Sequence, residues 1–221
     1  IIIERISVPM PNKYRRMKTD MDKPEGSKHT MGKNRMEMFS DGVIAIIITI
    51  MVLELRGPHE FTFEALQPLG PKLLSYLLSF VTIGIFWSHH HHVLHAVHHV
   101  TRGVLWANLH FLFWLSLIPA VTAWMGEHQF HRVPVSVYGG VMLMVGVSFR
   151  MLQHVLARHH DGVSPLARTL EQRFKARFSF VAYAAAIPLA FVYEWLTIVI
   201  YFGVAALWLL PDKHLEAAAE D

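Results

Sequence analysis

Long apolar blocks separated by short polar segments make up most of this sequence. The blocks lie at about residues 39–55, 73–87, 104–124, 135–156, 178–193 and 195–210. A helix that crosses a bilayer needs roughly 20 predominantly apolar residues. The pattern therefore predicts an all-α, polytopic membrane protein with six transmembrane helices. Pro119 lies inside the third block and predicts a kink, which a bundle of membrane helices tolerates.

The charged residues indicate how these helices are oriented. Hydrophobic residues make up 53% of the chain and charged residues 17%, whereas a soluble domain has about 25% charged residues. With six crossings, every Lys and Arg except Arg56, Lys72 and Arg132 falls on the side that carries both termini. The positive-inside rule then predicts a protein of the cytoplasmic membrane with both termini in the cytoplasm.

The two ends of the chain differ in character from its apolar part. Residues 1–34 are polar and basic with several prolines, and they predict a disordered arm or a stretch contributed by an expression vector. Residues 35–211 are expected to form one six-helix domain, and residues 212–221 resemble a vector-derived tail. The chain has no cysteine, which excludes disulfides and thiolate metal sites.

The segment after Asp41 joins a charged cluster abruptly to an apolar helix. At 100° per residue, Ile46, Ile50 and Leu53 form one stripe with Thr49 at its edge. Several copies around one axis would give hydrophobic rings that gate by dewetting, with Thr49 as the polar ring. Alternatively, the helix is buried in a bundle and its threonine bonds to its own backbone. Periodicity alone favours burial, because it distinguishes no face.

Histidines are concentrated at the end of the second block. On a helix, His91, His95 and either His98 or His99 share one face, which is a spacing that can hold zinc. Neither cysteine nor paired carboxylates lie nearby in the sequence, so a polar helix end in water is the favoured interpretation. A response to pH is another alternative, since histidine titrates near neutrality. The alternative function is a histidine-dependent metal transporter or a metal-binding membrane protein.

Several short motifs occur in a characteristic order. They are Arg35-x-x-x-Phe39-Ser40-Asp41, Tyr76-x-x-Ser79-Phe80, Ile85-Phe86-Trp87-x-x-His90-His91, Trp106-x-Asn108-Leu109, Leu117-Ile118-Pro119-x-x-Thr122 and Tyr138-Gly139. The combination resembles the bacterial branch of the transmembrane protein 175 family of potassium channels. The resemblance covers about residues 35–140 well and the last two helices only in outline.

The resemblance implies a homotetrameric, potassium-permeable cation channel that has no carbonyl selectivity filter and whose pore is lined by the first helix of each subunit. It places the gate on Ile46, completed by Ile50 and Leu53, and the hydroxyl layer linked to potassium preference on Thr49. K+ is the implied permeant ion, and no cofactor is implied. It also implies a structural network among Arg35, Phe39, Ser40, Asp41, Trp87, His90, His91, Trp106 and Asn108.

Other classes of function lack a matching site. No Walker loop, GxSxG or HExxH motif occurs, so we expect no enzyme. The absence of a TVGYG-like segment excludes an ordinary potassium filter. Basic residues between 168 and 177 are explained better by anionic lipid than by nucleic acid. The expected partners are monovalent cations, membrane lipid and further copies of the chain, and a non-conducting scaffold is the second alternative.

Overall fold

The computed structural model describes residues 27–58, 61–95, 100–159 and 170–210. These ranges contain helices joined by short connections and no strand, so the predicted all-α class is confirmed for them. A 3-10 helix spans Glu64–Leu66. The α-helices are α1 Ser27–Leu53, α2 Leu69–His95, α3 Arg102–Ser116, α4 Ile118–Glu127, α5 Arg132–His159, α6 Leu170–Leu189 and α7 Glu194–Leu209.

Within the described ranges, four stretches are long and apolar enough to cross a membrane. They are Gly32–Leu53, Leu69–His95, Arg102–Glu127 and Arg132–Arg158. α7 is apolar but has 16 residues, and the first half of α6 carries Arg173, Lys175 and Arg177. The membrane-spanning character of the chain is therefore clear, while the sixfold crossing stays a prediction.

Two helix boundaries differ from those expected. α1 begins at Ser27, so residues 27–34 are helical, although they belong to the stretch for which a disordered or vector-derived arm was expected. No proline follows Pro24 in this region, so nothing in the backbone stops the helix from extending toward the N-terminus. α6 ends at Leu189 rather than near Tyr193, whose N–H donates to the Leu189 carbonyl at 2.8 Å in the turn before α7.

The third apolar block is interrupted where the kink was predicted. α3 ends at Ser116 and α4 begins at Ile118, with Pro119 in the first turn of α4. Proline is tolerated there because the first N–H groups of a helix have no partner within it. The two short helices therefore meet at a bend and together form one candidate span.

Hydroxyl groups join α2, α4 and α5 inside the core. The Oγ atom of Ser79 lies 2.7 Å from Oγ1 of Thr122 and donates to the Tyr138 hydroxyl at 3.2 Å. All three side chains are buried. Buried hydroxyls of this kind fix the helices relative to one another, because each would be costly to leave without a partner.

A close approach holds α5 against α7. Tyr201 is buried and donates a hydrogen bond to the Val135 carbonyl at 3.0 Å. A Cβ atom on Gly139 would overlap the Tyr201 hydroxyl. Glycine is therefore required at position 139 by the space that the tyrosine occupies.

Candidate functional site on the first helix

α1 contacts α2, α3 and α4 with one face and leaves the other face uncovered. The buried face carries Ile44, Ile47 and Met51. The uncovered face, called here the α1 stripe, consists of Phe39, Gly42, Ala45, Ile46, Thr49, Ile50 and Leu53. Its predicted gate residues Ile46, Ile50 and Leu53 are 57%, 43% and 72% exposed. Periodicity alone favoured burial of this helix, whereas these three side chains are exposed in the single chain.

The Thr49 hydroxyl has one hydrogen bond along its own helix. Its Oγ1 atom donates to the Ile46 carbonyl at 2.9 Å, which is the back-bond considered from the sequence. The donor capacity of the hydroxyl is used by this bond, whereas its oxygen lone pairs remain available as acceptors. Because Thr49 is exposed on the α1 stripe, those lone pairs can face a cation or water.

Behind the stripe, three buried polar side chains connect α1, α2 and α3. The Asn108 Nδ2 group donates to Ser40 Oγ at 2.8 Å, and Ser40 Oγ donates to the Met36 carbonyl at 2.8 Å. The Asn108 Oδ1 atom lies 2.8 Å from Nε2 of His90. This pattern requires His90 to carry a proton on Nε2, since the amide oxygen only accepts. The chain of bonds fixes the middle of α1 against α2 and α3.

A second contact links α1 to α2 nearer the surface. The Trp87 indole Nε1–H donates to Oδ1 of Asp41 at 3.0 Å. The Trp87 ring stacks on the ring of His91, with centroids 6.1 Å apart and an interplanar angle of 29°. Asp41 is therefore held by a neighbouring helix and lies next to the entrance of the apolar segment.

The sequence-predicted network is assembled only in part. Ser40, Asn108 and His90 meet in one chain of bonds, and Asp41, Trp87 and His91 meet in another. Phe39 and Trp106 are exposed and lie outside both chains. Arg35 is also exposed and makes no hydrogen bond or ion pair with the residues that the structure describes.

A carboxylate that the sequence did not single out lies beside the histidines of α2. Oε1 of Glu37, on α1, is 3.5 Å from Nδ1 of His91 and 3.6 Å from Nε2 of His95. His98 and His99, the other candidate ligands, lie outside the described residues. Nothing in the sequence predicts that Glu37 lies close to His91 and His95, because the carboxylate and the histidines belong to different helices.

Comparison with known proteins identifies the family. A family model described as the endosomal/lysosomal potassium channel TMEM175 matches residues 35–119. A potassium channel of Chryseobacterium sp. (strain P1-3) is 42% identical over 191 residues, which cover 86% of this chain and 100% of that protein. The chain belongs to the TMEM175 family. The resemblance stated from the sequence motifs is thereby confirmed at the level of the family.

A solved structure and a vertebrate relative extend this result. The crystal structure of a lysosomal potassium-selective channel TMEM175 homolog from Chamaesiphon minutus has a TM-score of 0.65 and 29% identity, covering 80% of this chain and 96% of that one. The human endosomal/lysosomal proton channel TMEM175 is 31% identical over 116 residues, 47% of this chain and 23% of that protein. These TMEM175 proteins are ion channels rather than enzymes, as expected from the sequence.

Proposed function

We propose that this chain forms a potassium-permeable cation channel in the cytoplasmic membrane, built as a homotetramer with α1 of each subunit around a central axis. Six crossings per subunit and cytoplasmic termini complete the arrangement. The observation that carries the proposal is the α1 stripe, whose gate residues are exposed on a helix whose opposite face packs against α2, α3 and α4. The full-length similarity to a bacterial potassium channel supports the choice of ion.

The gate in this proposal is a stack of aliphatic rings. Four copies each of Ile46, Ile50 and Leu53 surround the axis and expel water from a narrow neck. A hydrated cation cannot enter such a neck without losing its hydration shell, so conduction requires the rings to separate or to become wet. This mechanism needs no carbonyl filter and relies on the width of the neck.

Thr49 supplies the polar ring between these hydrophobic layers. Its hydroxyl proton is bonded to the Ile46 carbonyl, which turns the acceptor side of the oxygen away from its own helix. Four such oxygens offset part of the dehydration cost of K+, and a smaller, more strongly hydrated ion such as Na+ gains proportionally less. A modest preference for potassium follows from this arrangement.

A groove beside the stripe favours assembly from several copies of the chain. It has a volume of about 560 Å³ and lies between α1 and the bend of α3 and α4, where Ser116, Ala120 and Ala123 provide small side chains. Small residues let a neighbouring helix backbone approach closely in a membrane. In the proposed tetramer, α1 of the next subunit lies against this groove.

The decisive experiment measures ion flux through purified protein in liposomes with K+, Na+ or protons as the permeant ion. Ile46→Asn is expected to raise K+ flux ~10-fold or more, because a polar side chain hydrates the neck. Protons belong in the assay because the human relative is described as a proton channel.

The matched control is Val199→Asn, the same polarity change on an exposed position of α7. It is expected to leave flux within about twofold of the unmodified protein, because α7 lies away from the axis in the proposed tetramer. A wild-type protein that passes none of the three ions, or an Ile46→Asn variant that leaves K+ flux unchanged, would contradict the proposal.

A further inference from the structure

A three-residue cluster between the first half of α1 and the end of α2 has the composition of a metal site. Glu37 from α1 and His91 and His95 from α2 each direct one ligand atom toward the others, and these atoms all lie within 4.8 Å of one another. His91 and His95 are one helical turn apart, so both rings project from the same side of α2. The His91 and His95 ring centroids are 4.4 Å apart.

The spacing fits a small divalent ion with nitrogen and oxygen ligands. Ligands bound ~2.1 Å from a tetrahedral zinc ion lie roughly 3.4 Å apart. The measured distances from Oε1 of Glu37 are 3.5 Å to Nδ1 of His91 and 3.6 Å to Nε2 of His95. Two histidines and one carboxylate form a recurrent ligand set for this ion, with a water molecule as the fourth ligand.

The surroundings of His91 provide independent support. Its Nδ1 atom is buried and has no hydrogen-bond partner among the described residues, although it faces Glu37. Stacking on Trp87 fixes the ring in this orientation. A buried ring nitrogen that makes no hydrogen bond is costly, and an ion bound between it and Glu37 would remove that cost. The His95 side chain is 62% exposed, which leaves an open path for the ion and its water.

One neighbouring charge opposes a cation. Lys33 donates from Nζ to the His95 carbonyl at 3.0 Å. That contact is exposed, so solvent screens the repulsion and the lysine side chain can move away at small cost. Removal of the Lys33 charge should therefore strengthen binding of a divalent cation, and an experiment can test this direction of change.

We propose that Glu37, His91 and His95 bind a divalent cation of the zinc type and thereby link the first half of α1 to the end of α2. None of the three ligands belongs to the α1 stripe, and the proposal does not depend on channel activity. Metal binding adds a bond between α1 and α2, and it stabilises the folded protein because the unfolded chain does not hold the three ligands together.

The experiment titrates metal-free purified protein with ZnCl2 by calorimetry, and with CoCl2 to follow the visible absorption of a tetrahedral cobalt site. Glu37→Gln tests the site most sharply, since it keeps every histidine of the tract. We expect Glu37→Gln and His95→Ala to weaken Zn2+ binding ~10-fold to 100-fold. Lys33→Ala should tighten binding about twofold to fivefold. ZnCl2 should also raise the unfolding temperature of the wild-type protein.

The control is His92→Ala, which removes an exposed histidine of the same tract that is not part of the cluster. It should change the affinity by less than about twofold. Equal Zn2+ binding by Glu37→Gln and wild type would show chelation by the tract alone and overturn the site. Absence of Zn2+ binding by the wild type at ~100 μM would do the same. If Glu37→Gln fails to fold, Lys33→Ala and His95→Ala decide the question.

Discussion

Two exposed surfaces of the subunit differ in the size of their side chains. The α1 stripe alternates aliphatic side chains with the small or polar residues Gly42, Ala45 and Thr49. The outer face of α6 and α7 carries mostly bulky side chains, including Phe178, Phe180, Val181, Trp195 and Val199. Both surfaces are apolar and both are uncovered in a single subunit.

The difference matters because an exposed apolar surface of a membrane protein can face either lipid or another protein chain. Bulky and aromatic side chains gain from contact with lipid chains and with the interface, whereas a glycine or a threonine hydroxyl gains little there. Small residues between larger ones allow close approach of another helix. We therefore expect lipid to cover the outer face, and other copies of α1 to approach the stripe.

Cysteine cross-linking should distinguish the two faces in an all-or-none way. The chain has no cysteine, so each introduced thiol is the only one in its subunit. We expect Ile46→Cys to give covalent dimers with a short bis-maleimide reagent, because the thiols of neighbouring subunits meet near the axis. Val199→Cys should stay monomeric on a denaturing gel. Efficient cross-linking at position 199 and none at position 46 would reverse the assignment of the two faces.

The K+/Na+ selectivity should depend on the Thr49 hydroxyl of the α1 stripe and not on the Thr197 hydroxyl of α7. Thr49→Ala is expected to lower the K+/Na+ flux ratio roughly threefold to tenfold, equivalent to about 1 kcal/mol. Thr49→Ser keeps the hydroxyl and should retain most of the ratio. Thr197 on α7 is bonded to its own helix in the same way but is buried.

Thr197→Ala is therefore the control for this experiment, and liposome flux with each ion is the measurement. The control should keep the wild-type ratio, since its hydroxyl lies far from the stripe in sequence and faces the protein interior. An equal loss of selectivity in both variants would show that the effect is one of stability rather than of ion contact.

The sequence predicts the helices of this protein better than it predicts their faces. Every α-helix that the structure describes contains all or part of a predicted apolar block, and Pro119 located the bend between α3 and α4. The orientation of α1 was not predictable, because Ile44 and Ile47 are buried while Ile46 and Ile50 are exposed. Isoleucines have the same chemistry at every position, so the sequence cannot tell a buried isoleucine from an exposed one. Tertiary packing determines which face of α1 is buried.

The candidate site shows the same limit. The contacts of Ser40, Asn108 and His90 were expected only through the family resemblance, since nothing local in the sequence pairs residues of three helices. Glu37 was not anticipated as a neighbour of the histidines for the same reason. Propensity and periodicity act along one helix, whereas these contacts depend on how separate helices pack.

The buried network behind the stripe should contribute measurably to stability. Asn108→Ala leaves Ser40 and His90 without the amide that joins them, and we expect a loss of about 1–3 kcal/mol. The measurement is thermal unfolding in detergent. Asn34→Ala, at an exposed position of α1, is the control and should change stability by less than about 0.5 kcal/mol. A loss no larger than that of the control would show that the network is dispensable.

The close contact between Gly139 and Tyr201 should affect stability without affecting the K+/Na+ preference. Gly139→Ala places a methyl group against the Tyr201 hydroxyl, and we expect a cost of about 1–2 kcal/mol, because the tyrosine can shift only at the expense of its bond to the Val135 carbonyl. Tyr201→Phe removes the hydroxyl, which is the closer of the two overlapping atoms, and loses its bond to the Val135 carbonyl. The double variant should therefore be more stable than the sum of the two single changes implies. Additive losses would show that the added methyl group does not clash with the Tyr201 hydroxyl. A changed K+/Na+ ratio in Gly139→Ala would mean that the outer helices are coupled to the α1 stripe and that the two faces are not independent.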